Sequence, residues 1–273
     1  MKADLHMHTT SSDGRLTNVE LINRVKSRGL DVFAITDHDI IAKTEENIEL
    51  AKSLGLKYIV GIELSAIYKE KSVHILGYFN HENYKSQEII DYYLDMTKKR
   101  DVRAKKYIKN IKDHFGLEID YEEVFNSASG VIARPHISRA IEKAYPQYSH
   151  NYIFDNFLGN DSPAYVASTK LSVKDGLALL KRNGAFTSLA HPTLMAREHL
   201  LDIIGFGFDG IEAVYPLNKP GETEFFRELA VKHNLVITAG SDYHGINKDT
   251  RHGDVGEKFL DGEETENLLN KIF

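Results

Sequence analysis

The sequence predicts an α/β protein: parallel strands joined by crossover helices, with a helical insertion in the middle. Three observations carry this reading. A chain of 273 residues suits a single α/β barrel. Short apolar runs alternate with helical patterns in the first third and again from Val173. Between these stretches, residues 86–164 drop the alternation and read as mostly helical. The chain therefore divides into a barrel, residues 1–85 and 165–273, and a helical insertion, residues 86–164.

Each element has its own signal. Ala3 to His8 reads as the first strand. Thr17-Asn18-Val19-Glu20 is a capping box that opens a helix ending at Gly29. Asp31 to Thr36 is the second strand. A second helix runs from Thr44 to Gly55. Tyr58 to Leu64 and Ser72 to Phe79 are the next two strands. The insertion opens with a long, charged helix over Ile89 to His114, and Gly130, Pro135 and Pro146 punctuate the shorter helical pieces beyond it. The alternation then resumes with a helix to Arg182 and a strand over Ala185 to Ala190. Next come the strand Gly210 to Val214, the helix Glu222 to His233, the strand Leu235 to Ala239 and a closing helix, Glu264 to Ile272.

Composition narrows the function. Net charge is -6, without the basic surplus of a duplex-DNA binder. The absence of cysteine excludes disulfides, zinc–cysteine sites and a thiol nucleophile. The start, Met1-Lys2-Ala3-Asp4, lacks the apolar run of a signal peptide, and no stretch approaches a membrane span. The expectation is a soluble, cytoplasmic protein with no membrane partner.

Histidine is abundant, with 13 copies. Six fall at the downstream ends of predicted strands: His6, His8, His38, His74, His191 and His244. Barrel chemistry is built at that end. Asp13, Glu63 and Asp242 take the same kind of position. Residues i and i+2 of a strand share a face, so His6 and His8 can hold one ion, and Asp242 and His244 repeat the spacing. A lone strand-end histidine is usually a hydrogen-bonded structural group. Six with three carboxylates are hard to explain as packing, because charged groups are rarely buried unless paired or metal-bound. His81, His114, His150, His199, His233 and His252 lie in charged or loop contexts and read as solvated. Arg134 and His136 flank Pro135 at a helix start in the insertion. They are read as facing the site and holding phosphate, against the alternative that Pro135 merely starts a helix.

These residues resemble a known family. Asp4-Leu5-His6-Met7-His8-Thr9 with Asp13-Gly14, Thr36-Asp37-His38-Asp39, Gly61-Ile62-Glu63, Val73-His74-Ile75-Leu76-Gly77, Ala190-His191-Pro192 and Gly240-Ser241-Asp242-Tyr243-His244 are similar to the motifs of the PHP (polymerase and histidinol phosphatase) metallophosphoesterases. The resemblance spans nearly the whole chain. The insertion and Ala133-Arg134-Pro135-His136 look like the stand-alone nucleotide phosphatase branch, which includes 3',5'-nucleotide bisphosphate phosphatases.

The resemblance implies a distorted (β/α)7 barrel holding three divalent metal ions, with Mn favoured and Fe or Zn compatible with the same donors. It implies that His6, His8 and Asp242 hold the first ion, and that Glu63 bridges the first and second. His74 and His191 complete the second, while Asp13, His38 and His244 hold the third. Asp37 and Asp4, beside ligands, read as supporting acceptors for the imidazoles. Two such ions can activate water near neutral pH, so no serine or cysteine nucleophile is required. Arg134 is the first choice to clamp phosphate. Lys170 and Arg251 are further candidates, against the alternative of solvated surface charges. The proton for the leaving group comes from metal-bound water or from His136. The implied substrate is a small phosphorylated molecule: 5'-AMP, a 3',5'-bisphosphate nucleotide or the 5' end of a short RNA. The alternatives are histidinol-phosphate phosphatase, accessory exonuclease work alongside a polymerase, and a non-catalytic metal-binding regulatory module.

Overall fold

The computed structural model describes residues 1–128, 130–167, 170–247 and 249–273. Its strands are β1 Ala3–Asp4, β2 Val32–Ile35, β3 Lys57–Tyr68, β4 Lys71–Phe79, β5 Leu171–Ser172, β6 Phe186–Leu189, β7 Gly210–Val214 and β8 Val236–Ala239. They form one barrel-shaped sheet in the order β1-β2-β3-β4-β6-β7-β8, with β5 against the end of β3. A few bonds bring the two edges together. Leu5 N donates to Ala239 O at 3.1 Å and His8 N to Tyr243 O at 2.9 Å.

The predicted all-parallel sheet is corrected at one strand. β4 runs antiparallel to both neighbours, β3 and β6, while the other pairs are parallel. The cause is the link between β3 and β4. It is only Lys69-Glu70, both with positive φ, 43° and 64°. Such a two-residue turn closes a hairpin, whereas a parallel crossover needs a dozen or more residues. β3 also outruns its predicted end at Leu64, and β1 is much shorter than the predicted Ala3 to His8, with Met7 keeping a single bridge to Tyr243.

The barrel helices are α1 Asn18–Ser27, α2 Thr44–Ser53, α7 Val173–Arg182, α8 Arg197–Ile204, α9 Glu222–His233 and α10 Gly262–Ile272. The capping box of α1 is present: Glu20 N donates to Thr17 Oγ1 at 3.3 Å and Thr17 N to Glu20 Oε2 at 2.8 Å. Helix α8 has no counterpart among the elements expected from the sequence. Alternation along the strands sorts the core. Phe33 and Ile35 join one apolar cluster with Leu21 and Val25 of α1, while Val32 and Ala34 join another with Leu268 and Ile272 of α10. Burial on both faces is what a largely parallel sheet requires.

The helical segment is α3 Gln87–Phe115, α4 Tyr121–Ser127, α5 Arg134–Ala144 and α6 His150–Ile153. It packs a third apolar cluster of its own, including Tyr107, Ile111, Ile137 and Ile141. Ile89, near the start of α3, packs instead into the barrel cluster of β2 and α1.

Candidate metal centre

The closing bonds of the sheet set His6 and His8 on either side of Met7, with both imidazoles fully buried. His38 follows β2, Glu63 lies within β3, and His191 follows β6. Asp242 and His244 follow β8. His74 does not sit at the downstream end of its strand, as the sequence suggested. It lies near the upstream end of β4, opposite Ser65. Because β4 runs backwards, that end meets the same rim as the downstream ends of its neighbours.

The nine side chains converge, and Glu63 is their hub. Its Oε2 lies 3.0 Å from His38 Nδ1, 3.2 Å from His8 Nε2 and 3.4 Å from His6 Nε2. Its Oε1 lies 2.7 Å from His74 Nδ1 and 3.0 Å from His191 Nε2. Asp242 Oδ1 lies 3.2 Å from His6 Nε2 and 3.1 Å from His8 Nε2. Asp13 is 3.3 Å from His244 Nε2 and 3.7 Å from His38 Nε2. Among the described residues, four overlapping donor groups result: His6, His8, Glu63 and Asp242; His38, Glu63 and His74; His8, Asp13, His38 and His244; and Asp242 and His244 with His252. His38 thus reaches Glu63 as well as Asp13, which its assignment to the third ion alone did not include.

The buried polar atoms fit divalent ions. His6 Nε2, His8 Nε2, His38 Nδ1 and Glu63 Oε2 are buried without a hydrogen-bond partner. Orphaned buried donors and acceptors are costly, and here they point at one another. Imidazole with carboxylate is the donor set of Mn, Fe or Zn. Charge agrees with this. Burial pushes the Glu63 carboxyl up, but His38, His74 and His6 outweigh it and hold it well below the usual range. Burial and the imidazoles act on Asp242 and Asp13 in the same opposed way, with the same outcome.

The supporting residues differ from those expected. His6 Nδ1 is 3.0 Å from Glu212 Oε1, and His191 N donates to Glu212 Oε2 at 2.7 Å. Tyr215 OH donates to Asp242 Oδ2 at 2.8 Å. His74 Nε2 is 3.2 Å from Ser72 Oγ. None of these three was anticipated. Glu212 left a signal, a carboxylate inside the apolar run Gly210-Ile211-Glu212-Ala213-Val214. Asp4 and Asp37 make no hydrogen bond to a ligand imidazole. Asp4 holds the backbone instead: it accepts from His6 N at 3.4 Å and from Ser241 N, Ser241 Oγ and Gly256 N, tying His6 to the last loop. Asp37 accepts from Thr9 N, Thr9 Oγ1 and Ser12 Oγ, and Ser12 Oγ in turn lies 3.4 Å from His8 Nδ1. His252 is not solvated: it is half-buried, and its ring lies against that of His244, tilted by 32° with centroids 4.1 Å apart.

Beside this cluster opens a cleft of about 1520 Å³. Arg134, Lys170 and Arg251 line it, joined by Arg100 and Arg103, which the sequence did not single out. Arg134 Nη1 donates to Leu158 O at 3.0 Å, and Lys170 Nζ to Ser72 Oγ at 2.6 Å. Burial lowers the Lys170 ammonium to about 8, assisted by Arg100, Arg103 and Arg134 and opposed by Asp39. The pairing of Arg134 with His136 is corrected. His136 is 1% exposed, is not among the cleft-lining residues, and accepts from Ala133 N at 3.0 Å. Both residues lie in α5, where positions i and i+2 point about 200° apart, so they cannot share a face. Burial, with Arg139 nearby, lowers the His136 imidazole to about 4.

Fold and donor set together define a metal-binding hydrolase on a distorted barrel. The PHP domain pattern matches residues 4–182, and the chain belongs to that family. It is 26% identical over 250 residues to a 5'-3' exoribonuclease from Haemophilus influenzae, covering 89% of this chain and 90% of the relative. It is 29% identical over 251 residues to a phosphoribosyl 1,2-cyclic phosphate 1,2-diphosphodiesterase from Eggerthella lenta, covering 90% and 95%. A solved structure from Bifidobacterium adolescentis, described as a metal-dependent phosphoesterase, matches with a TM-score of 0.87 and 27% identity over 98% of this chain and 96% of that one. The chain is an enzyme, a metal-dependent phosphoesterase. No helix among the described residues is long and apolar enough to cross a membrane.

Proposed function

We propose that this protein hydrolyses phosphate monoesters of nucleotides, such as 5'-AMP or 3',5'-bisphosphate nucleotides, and extends to the 5' ends of short RNA. The carrying observation is the convergence of the nine side chains, five imidazoles among them around Glu63, with orphaned nitrogen and oxygen atoms turned inward. His6, His8, Glu63 and Asp242 would hold one ion, Glu63, His74 and His191 a second, and Asp13, His38 and His244 a third, with Mn the first choice. When bound, such ions lower the pKa of water toward about 7 and offset the charge of the phosphoryl oxygens.

The chain's own residues do the rest. Glu63 spans two donor groups and sets their spacing. Glu212 and Tyr215 fix the orientation of His6, His191 and Asp242, as outer hydrogen bonds do for metal ligands. Arg134, Lys170 and Arg251, on the wall of the cleft, neutralise and orient the phosphorylated substrate. The insertion, residues 86–164, covers the site from one side through Arg100, Arg103 and Arg134. His136 has no part in this reading, because its imidazole is buried and held neutral by its surroundings.

The test is phosphate release by the purified protein with Mn from 5'-AMP, 3'-AMP, adenosine 3',5'-bisphosphate, a short 5'-phosphorylated RNA and histidinol phosphate. Nucleotide substrates are expected to dominate. Preferential turnover of histidinol phosphate overturns the nucleotide reading. Activity that survives Glu63→Gln overturns the site.

A further inference from the structure

Besides lining the cleft, the insertion meets the backbone beside the candidate metal ligands through a buried ion pair. Asp39 immediately follows His38 and is fully buried, with a positive φ of 56°. A non-glycine residue keeps that conformation only where its surroundings hold it. Four bonds do so. Asp39 N donates to Glu63 O at 3.0 Å, and Ser65 N donates to Asp39 Oδ1 at 2.7 Å. Two more come from α3: Tyr92 OH donates to Asp39 Oδ1 at 2.9 Å, and Arg100 Nη2 donates to Asp39 Oδ2. The Arg100 side chain is only 12% exposed, so the pair is shielded from solvent. Arg100 Nη2 also reaches Ser65 Oγ at 3.4 Å.

Its place on the helix matters. Ile89 packs into the barrel, whereas Ala104, Tyr107 and Ile111 pack into the insertion's own cluster. Arg100 lies at the handover between the two. The residues it reaches are neighbours of ligands: His38 precedes Asp39, His38 bridges to Glu63, and Ser65 pairs with His74. A guanidinium from the insertion is therefore locked into the backbone that carries three candidate ligands.

We propose that Arg100 is a positioning residue that, by clamping Asp39, fixes His38 and Glu63 for metal binding, so that the metal centre is complete only when α3 is seated on the barrel. The inference rests on the metal reading of the site. It assigns Arg100 no contact with substrate.

The experiment measures ion binding directly, by manganese titration followed by electron paramagnetic resonance and by metal content after gel filtration. The proteins are wild type, Arg100→Met, Arg100→Lys and Asp39→Asn, with hydrogen exchange over residues 87–115. Arg100→Met is expected to weaken the most loosely held ion by about 10- to 100-fold, to loosen α3, and to regain its kcat in excess Mn. Arg100→Lys should restore part of the affinity. Asp39→Asn keeps the side-chain volume and should repeat the defect, including where Arg100→Met fails to fold. Wild-type ion affinity in Arg100→Met and Asp39→Asn overturns the proposal, as does a raised KM with unchanged ion binding, which would mean that Arg100 meets the substrate. Wild-type protein that binds no divalent ion overturns the metal reading, and the proposal with it.

Discussion

Glu63 offers two oxygens to five imidazoles. No hydrogen-bonding scheme satisfies such a crowd, so on the proposed reading the charge of this one carboxylate would govern how many cations the site can keep. Glu63→Gln changes shape very little and removes that charge. It should lower kcat/KM by at least about 100-fold and reduce bound metal in the same preparation. Lys170 sets a different dependence. Its ammonium, lowered to about 8, is cationic below that pH and loses its charge as pH rises through it. KM for a phosphorylated substrate should therefore climb above pH 8, and Lys170→Arg should flatten the climb. A KM profile that is level across this range in wild type removes Lys170 from substrate binding. Of the nine candidate positions, His6, His8, Asp242 and His244 were legible from the His-x-His and Asp-x-His spacings, which state a shared face without reference to anything distant, and the other five from their places at strand ends and in family-like motifs. Tyr215 and His252 were not, because Tyr215 reaches Asp242 only through the pairing of β7 with β8, and His252 meets His244 only in the folded chain after β8. His136 misled for a simple reason: adjacency to Arg134 in sequence becomes opposition on a helix.

At the scale of elements, local signals fared better than connections. The capping box of α1 and the bounds of α7, β7 and α9 are written in neighbouring residues, and the structure reproduces them. The direction of β4 is not, because Lys69-Glu70 carries none of the Asn-Gly or Asp-Gly character that marks a tight hairpin. Thr17→Ala should test the cap, with a loss of about 1 kcal/mol in denaturant melts and unchanged activity. Gly240, just after β8, is a stricter point. A side chain there would place its Cβ 2.2 Å from His6 Cβ and 2.7 Å from His6 N. Neither neighbour can yield, since one is backbone and the other carries a ligand. Gly240→Ala should cost about 3 kcal/mol and weaken metal binding together with stability. Loss of stability alone, with full ion affinity, would show that the His6 strand does not depend on this close approach.

For the molecule as a whole, candidate ligands spread from just after β1 to the loop after β8 would make ion binding part of folding. Ions that bind only the native state stabilise it by mass action, by about 2.7 kcal/mol at a free concentration 100 times Kd for each independent ion. The melting temperature should thus fall on chelation and recover with Mn, with a smaller recovery in Glu63→Gln. A melting temperature indifferent to chelator speaks against the centre. The apolar cluster shared by Tyr107, Ile111, Ile137 and Ile141 has another consequence. All nine donors come from the barrel, whereas Arg103 and Arg134 come from a segment that packs largely on itself. Mutation can accumulate on one bank of the cleft while selection holds the other still. Relatives could then diverge in what they cleave without relearning how to cleave, and a graft of residues 86–164 between them should carry selectivity along. Its one obligatory registration mark would be an arginine able to meet Asp39.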